Sequence, residues 1–421
     1  MTRPSPVVFL HIGAMKTGTT YLQQLLLQNR ESLAEQGLLF PGTTWADQVL
    51  AAHDVVGHHR ERGVRERAAG SWPTLVEQML AHEGRGSVLS VEFLSFAGSR
   101  AVRRVMADLA EAELHVVLTL RDTCVVLPGL WQTHCANGGT ASWRGFAQSA
   151  RLGSGTGPFT PLLGQGARLF RRALDVPRML DSWAGVVPPE RLHVVTVPPP
   201  GARQELLWER FASVLGVDPA TAPVPPKGHN PSLGYASADL MRRLNTELGR
   251  LPRERYNPTL KHHLAEHVLA ARARAERPAE LDAATHAFAT RWNRRTRTAL
   301  ESGVHLVGDL EDLPTTETTQ DLTSSIDPPD DAELLAAAEH AVAGMEELVR
   351  RRRRRLRKRR GEAPAKEGRA ESAADRQQRW DAEADPVRTA VRDLAEVSRV
   401  AIALQDRLDQ TRPRAARRPG R

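Results

Sequence analysis

With 421 residues the chain is long enough for one large α/β domain with appendages, or for two domains. Its net charge of +8 would suit a polyanion-binding protein, but ten of the basic residues fall in the eleven-residue run Arg350 to Arg360. Without them the charge is −2, which excludes a general nucleic-acid face. The two cysteines, Cys124 and Cys135, exclude a disulfide framework and a cysteine zinc site; eleven residues apart, they read as buried thiols.

Val7 to Ile12 is a short apolar run and predicts a strand covered on both faces. It is too short for a signal peptide, and Lys16 follows it. No apolar run is long enough to span a bilayer, so the expectation is a cytoplasmic protein without a transmembrane segment. Gly13 and Gly18 bracket a turn that needs unusual backbone angles and close ligand approach. A helix then opens at Thr19 or Thr20, with Leu22, Leu25 and Leu26 on one face. Free N–H groups and a partial positive charge draw anions to a helix N-terminus, and Lys16 and the threonine hydroxyls add charge and donors. The stretch is built to hold a phosphate-like group.

Gly37 to Gly42 predicts a short strand closed by turn residues. Residues 43 to 72 carry His53, His58 and His59; with only Asp54 and Glu61 nearby they read as a solvated helix rather than a metal site. Ser87 to Val91 is the next strand, ending at Glu92, and a helix over about 100 to 112 follows. Leu114 to Leu120 is a strand ending at Arg121, and Leu192 to Val197 is a fourth. Strands separated by helices predict an α/β fold, a parallel sheet flanked by helices. Ligands of such sheets bind beyond the carboxyl ends of the strands. The Gly13 loop, Glu92 and Arg121 all follow strand ends and converge on that rim.

Helices are predicted at about 203–216, 232–248, 259–276 and 279–300, and Gly308-Asp309-Leu310 closes a domain over 1–313. A Thr, Ser, Asp and Pro linker follows at 314–330. The tail, 331–421, is basic, helical and partly disordered. Residues 331–360 place acids early and arginines late, as the helix dipole favours. Residues 361–383 lack apolar periodicity and read as disordered. A heptad over 387–408 fits a short coiled coil, through which the tail would self-associate, and equally a helix docked on its own domain. The arginine run reads as a solvated helix end or a weak polyanion surface.

The loop is not the nucleotide-hydrolase G-x-x-x-x-G-K-[ST], because Thr19 follows Gly18 and the lysine stands two places before that glycine. The arrangement Lys16-Thr17-Gly18-Thr19-Thr20 resembles the P-loop-like 5′-phosphosulfate loop of sulfotransferases that use 3′-phosphoadenosine 5′-phosphosulfate (PAPS). Leu118 to Asp122 and Leu130-Trp131-Gln132 resemble the 3′-phosphate segment of the bacterial members. Leu180 to Trp183, Arg191 to Gly201, Leu207 to Phe211, Asn230 to Gly234 and Val307 to Leu310 are similar in texture. The resemblance covers roughly residues 5 to 313 and leaves out the tail.

The resemblance implies sulfuryl transfer from PAPS to a hydroxyl or amine acceptor by in-line displacement, without a metal. It implies that Gly13, Lys16, Thr17, Gly18, Thr19 and Thr20 hold the phosphosulfate and that Arg121 pairs with the 3′-phosphate. Lys16 would neutralise the leaving oxygen, and Glu92 would take the acceptor proton, with His53 in reserve. Where the family has a serine on the 3′-phosphate this chain has Gly129, so either Thr123 or Thr133 supplies the hydroxyl or the cofactor is held less tightly. Lys227 to Asn230 is either a late loop over the cofactor or a plain turn. The acceptor, whether carbohydrate, lipid, small natural product or peptide, would be read by residues 43–75 and 138–170. Two competing readings are a nucleotide kinase or hydrolase with an aberrant loop, and a non-catalytic binding protein that keeps the fold.

Overall fold

A computed structural model describes residues 5–57, 62–153, 164–225, 232–301, 303–316, 327–363 and 371–411. Its centre is a six-stranded sheet in the order β2-β3-β1-β4-β5-β6, in which every paired neighbour is parallel. The strands are β1 (Val7–Gly13), β2 (Leu38–Leu39), β3 (Gly86–Ser90), β4 (Glu113–Leu120), β5 (Leu192–Thr196) and β6 (His305–Val307). The four long strands lie where the apolar runs put them. β2 is only two residues long, and β6 is an addition of three residues, too short to carry a pattern.

Alternation along the strands divides the core. Val8, Leu10 and Ile12 of β1 join Val116 and Leu118 of β4 on one face, against helices at Trp45–Val56, Ser71–Ala81, Ser99–Asp108 and Val176–Ala184. Phe9, Val88, Val117 and Val195 face the other way, against α1 (Thr19–Gln28) and α3 (Glu205–Leu215). Between these two helices in the chain lies α2 (Thr123–Ala136), which starts just past the carboxyl end of β4.

A third apolar cluster is almost entirely helical. It joins α2 to α4 (Tyr235–Leu248), to a π-helix at Asn257–Val268 and to α5 (Ala283–Leu300). The continuous helix expected over 259–276 is thus a π-helix continued by a 3₁₀ turn, Leu269–Arg272. The same cluster takes in α6 (Asp331–Arg360) and α8 (Pro386–Gln410). Val387, Ala390, Leu394, Ala401, Leu404 and Leu408 of the heptad are buried against the chain's own helices, so the seam is used within the molecule.

The stretch 361–383 departs from expectation. It contains α7 (Ala373–Asp381), which has two buried anchors in place of a periodic face. Trp380 is fully buried and donates from Nε1 to Asp393 at 2.8 Å. The buried Arg376 bonds Glu339 and Glu346, both at 2.9 Å. The arginine run is not uniformly solvated either, because Arg352 is buried.

Candidate functional site

The loop after β1 is tied to the end of β4. The Ala14 amide donates to the Thr119 carbonyl at 2.9 Å. The Thr17 hydroxyl donates to the Ala14 carbonyl at 2.7 Å and lies 2.6 Å from the Thr119 hydroxyl. Below it the His11 ring spans Ser90 Oγ at 2.7 Å and Thr119 Oγ1 at 3.2 Å. His11, Ser90 and Thr119 thus form a buried polar rung joining β3, β1 and β4 under the loop. Burial pushes the His11 pKa down to about 3, so the rung is neutral. Thr17 serves this internal bracing, and its hydroxyl is committed to the loop itself.

Two glycines shape the loop for steric reasons. Gly13, at φ 108°, lies so close to Glu92 that a Cβ would stand 3.1 Å from the Glu92 Cβ. Gly18, at φ 81°, is the N-cap of α1, and a Cβ there would stand 2.4 Å from Leu207 Cδ2. Because Gly18 has no side chain, nothing caps α1 from that position, and the first turn holds no acid. The start of α1 therefore has neither a side-chain cap from Gly18 nor an acid of its own first turn.

Lys16 has φ 64° at the crest of the loop. Its stem runs along α2, where a Cβ on Gly129 would lie 3.6 Å from Lys16 Cδ. Gly129 therefore adjoins the site, but it offers space for Lys16 and no hydroxyl. Thr133 donates its hydroxyl to the Gly129 carbonyl at 3.0 Å, and Thr123 is buried with its amide on Asn293. Burial lowers the affinity of Lys16 for its proton; Glu92 and Glu266 raise it and Lys261 lowers it further. Its ammonium makes no hydrogen bond or close ion pair with a described residue.

Glu92 begins the 3₁₀ turn after β3 and accepts from Gln23 Nε2 of α1 at 2.8 Å, while the same amide reaches the Ser90 carbonyl at 3.2 Å. His53 stacks on Phe93 with ring centroids 5.1 Å apart, on the Glu92 side of the site. Arg121 follows β4 directly. Burial lowers its pKa, the neighbouring Asp122 raises it, and its buried Nε has no hydrogen-bond partner among the described residues. Asp122 is occupied as the N-cap of α2, accepting from the Cys124 amide at 3.0 Å and from Asn293 Nδ2 at 2.7 Å.

Lys16, Glu92 and Arg121 therefore follow three adjacent strands, β1, β3 and β4, on one rim. Sequence reasoning missed Gln23, a polar residue among the apolar positions of α1, and it missed Lys261 and Glu266, which reach the site from a distant segment. His58, His59 and Lys227 to Asn230 lie outside the described residues. Among the described residues no group of three or more His, Cys, Asp or Glu is arranged to hold a metal ion, and no helix is long and apolar enough to cross a membrane.

The rim belongs to a parallel α/β protein with a glycine-bracketed loop at the carboxyl end of its first strand. Comparison with family models, with curated proteins and with solved structures finds no match for the chain.

Proposed function

We propose that the protein transfers a sulfuryl group from PAPS to a hydroxyl or amine acceptor. The observation that carries this reading is a pair of cations, Lys16 and Arg121, with no hydrogen-bonded anion among the described residues, after adjacent strands of one rim. Leaving such groups without partners costs stability, so a ligand with anionic groups at two points suits them. PAPS has that form, with a phosphosulfate at one end and a 3′-phosphate at the other. Lys16, the loop around Gly18 and the start of α1 would hold the phosphosulfate, and the Arg121 guanidinium would meet the 3′-phosphate.

PAPS supplies the activated sulfuryl group; the chain supplies position and charge. The Lys16 ammonium stabilises negative charge that develops on the leaving oxygen. Glu92 accepts the acceptor's proton, and the Gln23 amide fixes one of its carboxylate oxygens and leaves the other to work. A hydrolase reading finds less support, because its lysine would follow Gly18, where Thr19 stands.

Calorimetric titration with adenosine 3′,5′-bisphosphate, set against ATP with magnesium, tests the proposal. Tight binding of the bisphosphate that is lost in Lys16→Ala and Arg121→Ala is expected. Preference for ATP would refute it. Bisphosphate binding with no transfer to any acceptor would favour the non-catalytic reading.

A further inference from the structure

The C-terminal helices grip the π-helix at both ends. At its start the buried Arg352 of α6 donates to the Thr259 hydroxyl at 2.8 Å and to the Pro258 carbonyl at 3.4 Å. The same guanidinium donates to the Ala401 carbonyl of α8 at 2.8 Å, so one side chain joins three helices. Just before the π-helix, Arg255 pairs with Asp406 of α8 at 2.8 Å. At its far end α6 approaches so closely that a Cβ on Gly344 would stand 2.6 Å from Val268 Cγ1. Between these points Leu260 and Leu264 are buried in the cluster they share with Leu348, Leu356 and Leu404.

The held helix is a wall of the candidate site. It packs with α2, along which Lys16 lies, and Met15 of the loop packs on the same cluster. Lys261 and Glu266 stand five residues apart, the hydrogen-bond repeat of a π-helix, so they share a face. Both act on the Lys16 charge. Long π-helical runs are rare and need outside support, which the tail provides.

We infer that Arg352 is a positioning residue for the anion site: through Thr259 and Pro258 it sets the π-helix against the Lys16 loop. The inference rests on that loop being the functional site. The arginine run is then divided in purpose. Arg352 is structural, while its neighbours Arg353 and Arg355 are exposed and do not share the task.

The test uses the full chain. Arg352→Gln removes the fork, and Thr259→Val removes one acceptor without changing charge. Arg353→Gln and Arg355→Gln are charge controls. Two quantities are read: affinity for adenosine 3′,5′-bisphosphate, and the pH midpoint of Lys16 acylation in competitive labelling, which needs no nucleotide. Arg352→Gln is expected to weaken the bisphosphate about tenfold, as a displaced wall would. It should also move the Lys16 midpoint up, because burial is the main cause that holds it down. Thr259→Val should do both to a smaller degree, and it decides the matter if Arg352→Gln does not fold. The controls should do neither. A Lys16 midpoint unmoved in Thr259→Val and in any folded Arg352→Gln overturns the inference, as do equal effects from Arg353→Gln. A wild-type chain that ignores the bisphosphate would defeat the sulfotransferase reading alone, because the Lys16 midpoint still reports on the wall.

Discussion

Gly129→Ser puts a hydroxyl beside the candidate site, where the sulfotransferases that the loop resembles carry a serine. The position is interior to α2, where serine is favoured over glycine by about 0.5 kcal/mol on helix propensity alone. The nearest atoms a Cβ would meet are Lys16 Cδ at 3.6 Å, Cγ at 3.8 Å and Cε at 3.9 Å, all ordinary contacts. The fold should therefore accept the change without loss of stability. If Arg121 holds a 3′-phosphate, the new hydroxyl adds one hydrogen bond to a charged group, worth about 1.5 kcal/mol net, or roughly tenfold in affinity. Titration calorimetry with adenosine 3′,5′-bisphosphate reads the gain, and urea denaturation checks the fold. A variant that folds as the wild type does, yet binds the bisphosphate no better or worse, would refute the placement of the 3′-phosphate at Arg121 and Gly129.

Arg121→Met should raise the thermal midpoint while abolishing bisphosphate binding, because a buried Nε without a partner costs about 1–3 kcal/mol that a thioether does not. A lowered midpoint would mean that Arg121 is structural. Gly18→Ala should cost about 2–4 kcal/mol, combining left-handed strain with the 2.4 Å overlap on Leu207, whereas Gly57→Ala, at φ 69° with nothing within 4 Å, should cost only the strain of about 1–2 kcal/mol. Equal losses in denaturant titrations would remove the close approach from the account. Stability should fall as pH drops below 6.5, because the unfolded chain then binds a proton that buried His11, its pKa pushed down to about 3, refuses. The slope from His11 is about 1.4 kcal/mol per pH unit down to that value, and His134 and His193, both pushed down to about 4, act in the same direction. His11→Gln should flatten urea midpoints measured from pH 6.5 to 4; an unchanged slope would mean that His11 already titrates in the folded state.

The parts of the fold that were legible are those in which composition alone commits a segment. Val7 to Ile12 and Leu114 to Leu120 have too many consecutive apolar residues to be anything but covered strands, and their ends then place Lys16, Glu92 and Arg121. The rest depended on tertiary partners. α7 is polar around almost its whole circumference and is held by Trp380 and Arg376, whose partners lie on other helices. Nothing local in Asn257 to Val268 favours a π-helix, whose geometry matches contacts from residues about 90 positions later in the chain. Gln23 could not be assigned to Glu92 from sequence, because only the parallel pairing of β1 with β3 brings α1 over that carboxylate. Gly129 was read as a missing donor, whereas the structure gives it a positive use as the space that Lys16 occupies.

Arginines that are buried or largely covered elsewhere in the chain differ from Arg121 in their partners. Arg352 makes hydrogen bonds to a hydroxyl and two carbonyls, Arg376 reaches Glu339 and Glu346, and Arg210 bonds Asp312 at 2.6 Å and the Thr196 carbonyl at 2.8 Å. For these three guanidinia the fold provides acceptors. At Arg121 it does not, although Asp122 is the next residue, because that carboxylate is committed to the α2 amides and Asn293. Lys16 is in the same position one strand away, its charge balanced at a distance by Glu92 and Glu266. Two cations whose neighbouring carboxylates are engaged elsewhere, on the rim where an α/β sheet binds its ligands, are what the proposed anionic ligand requires.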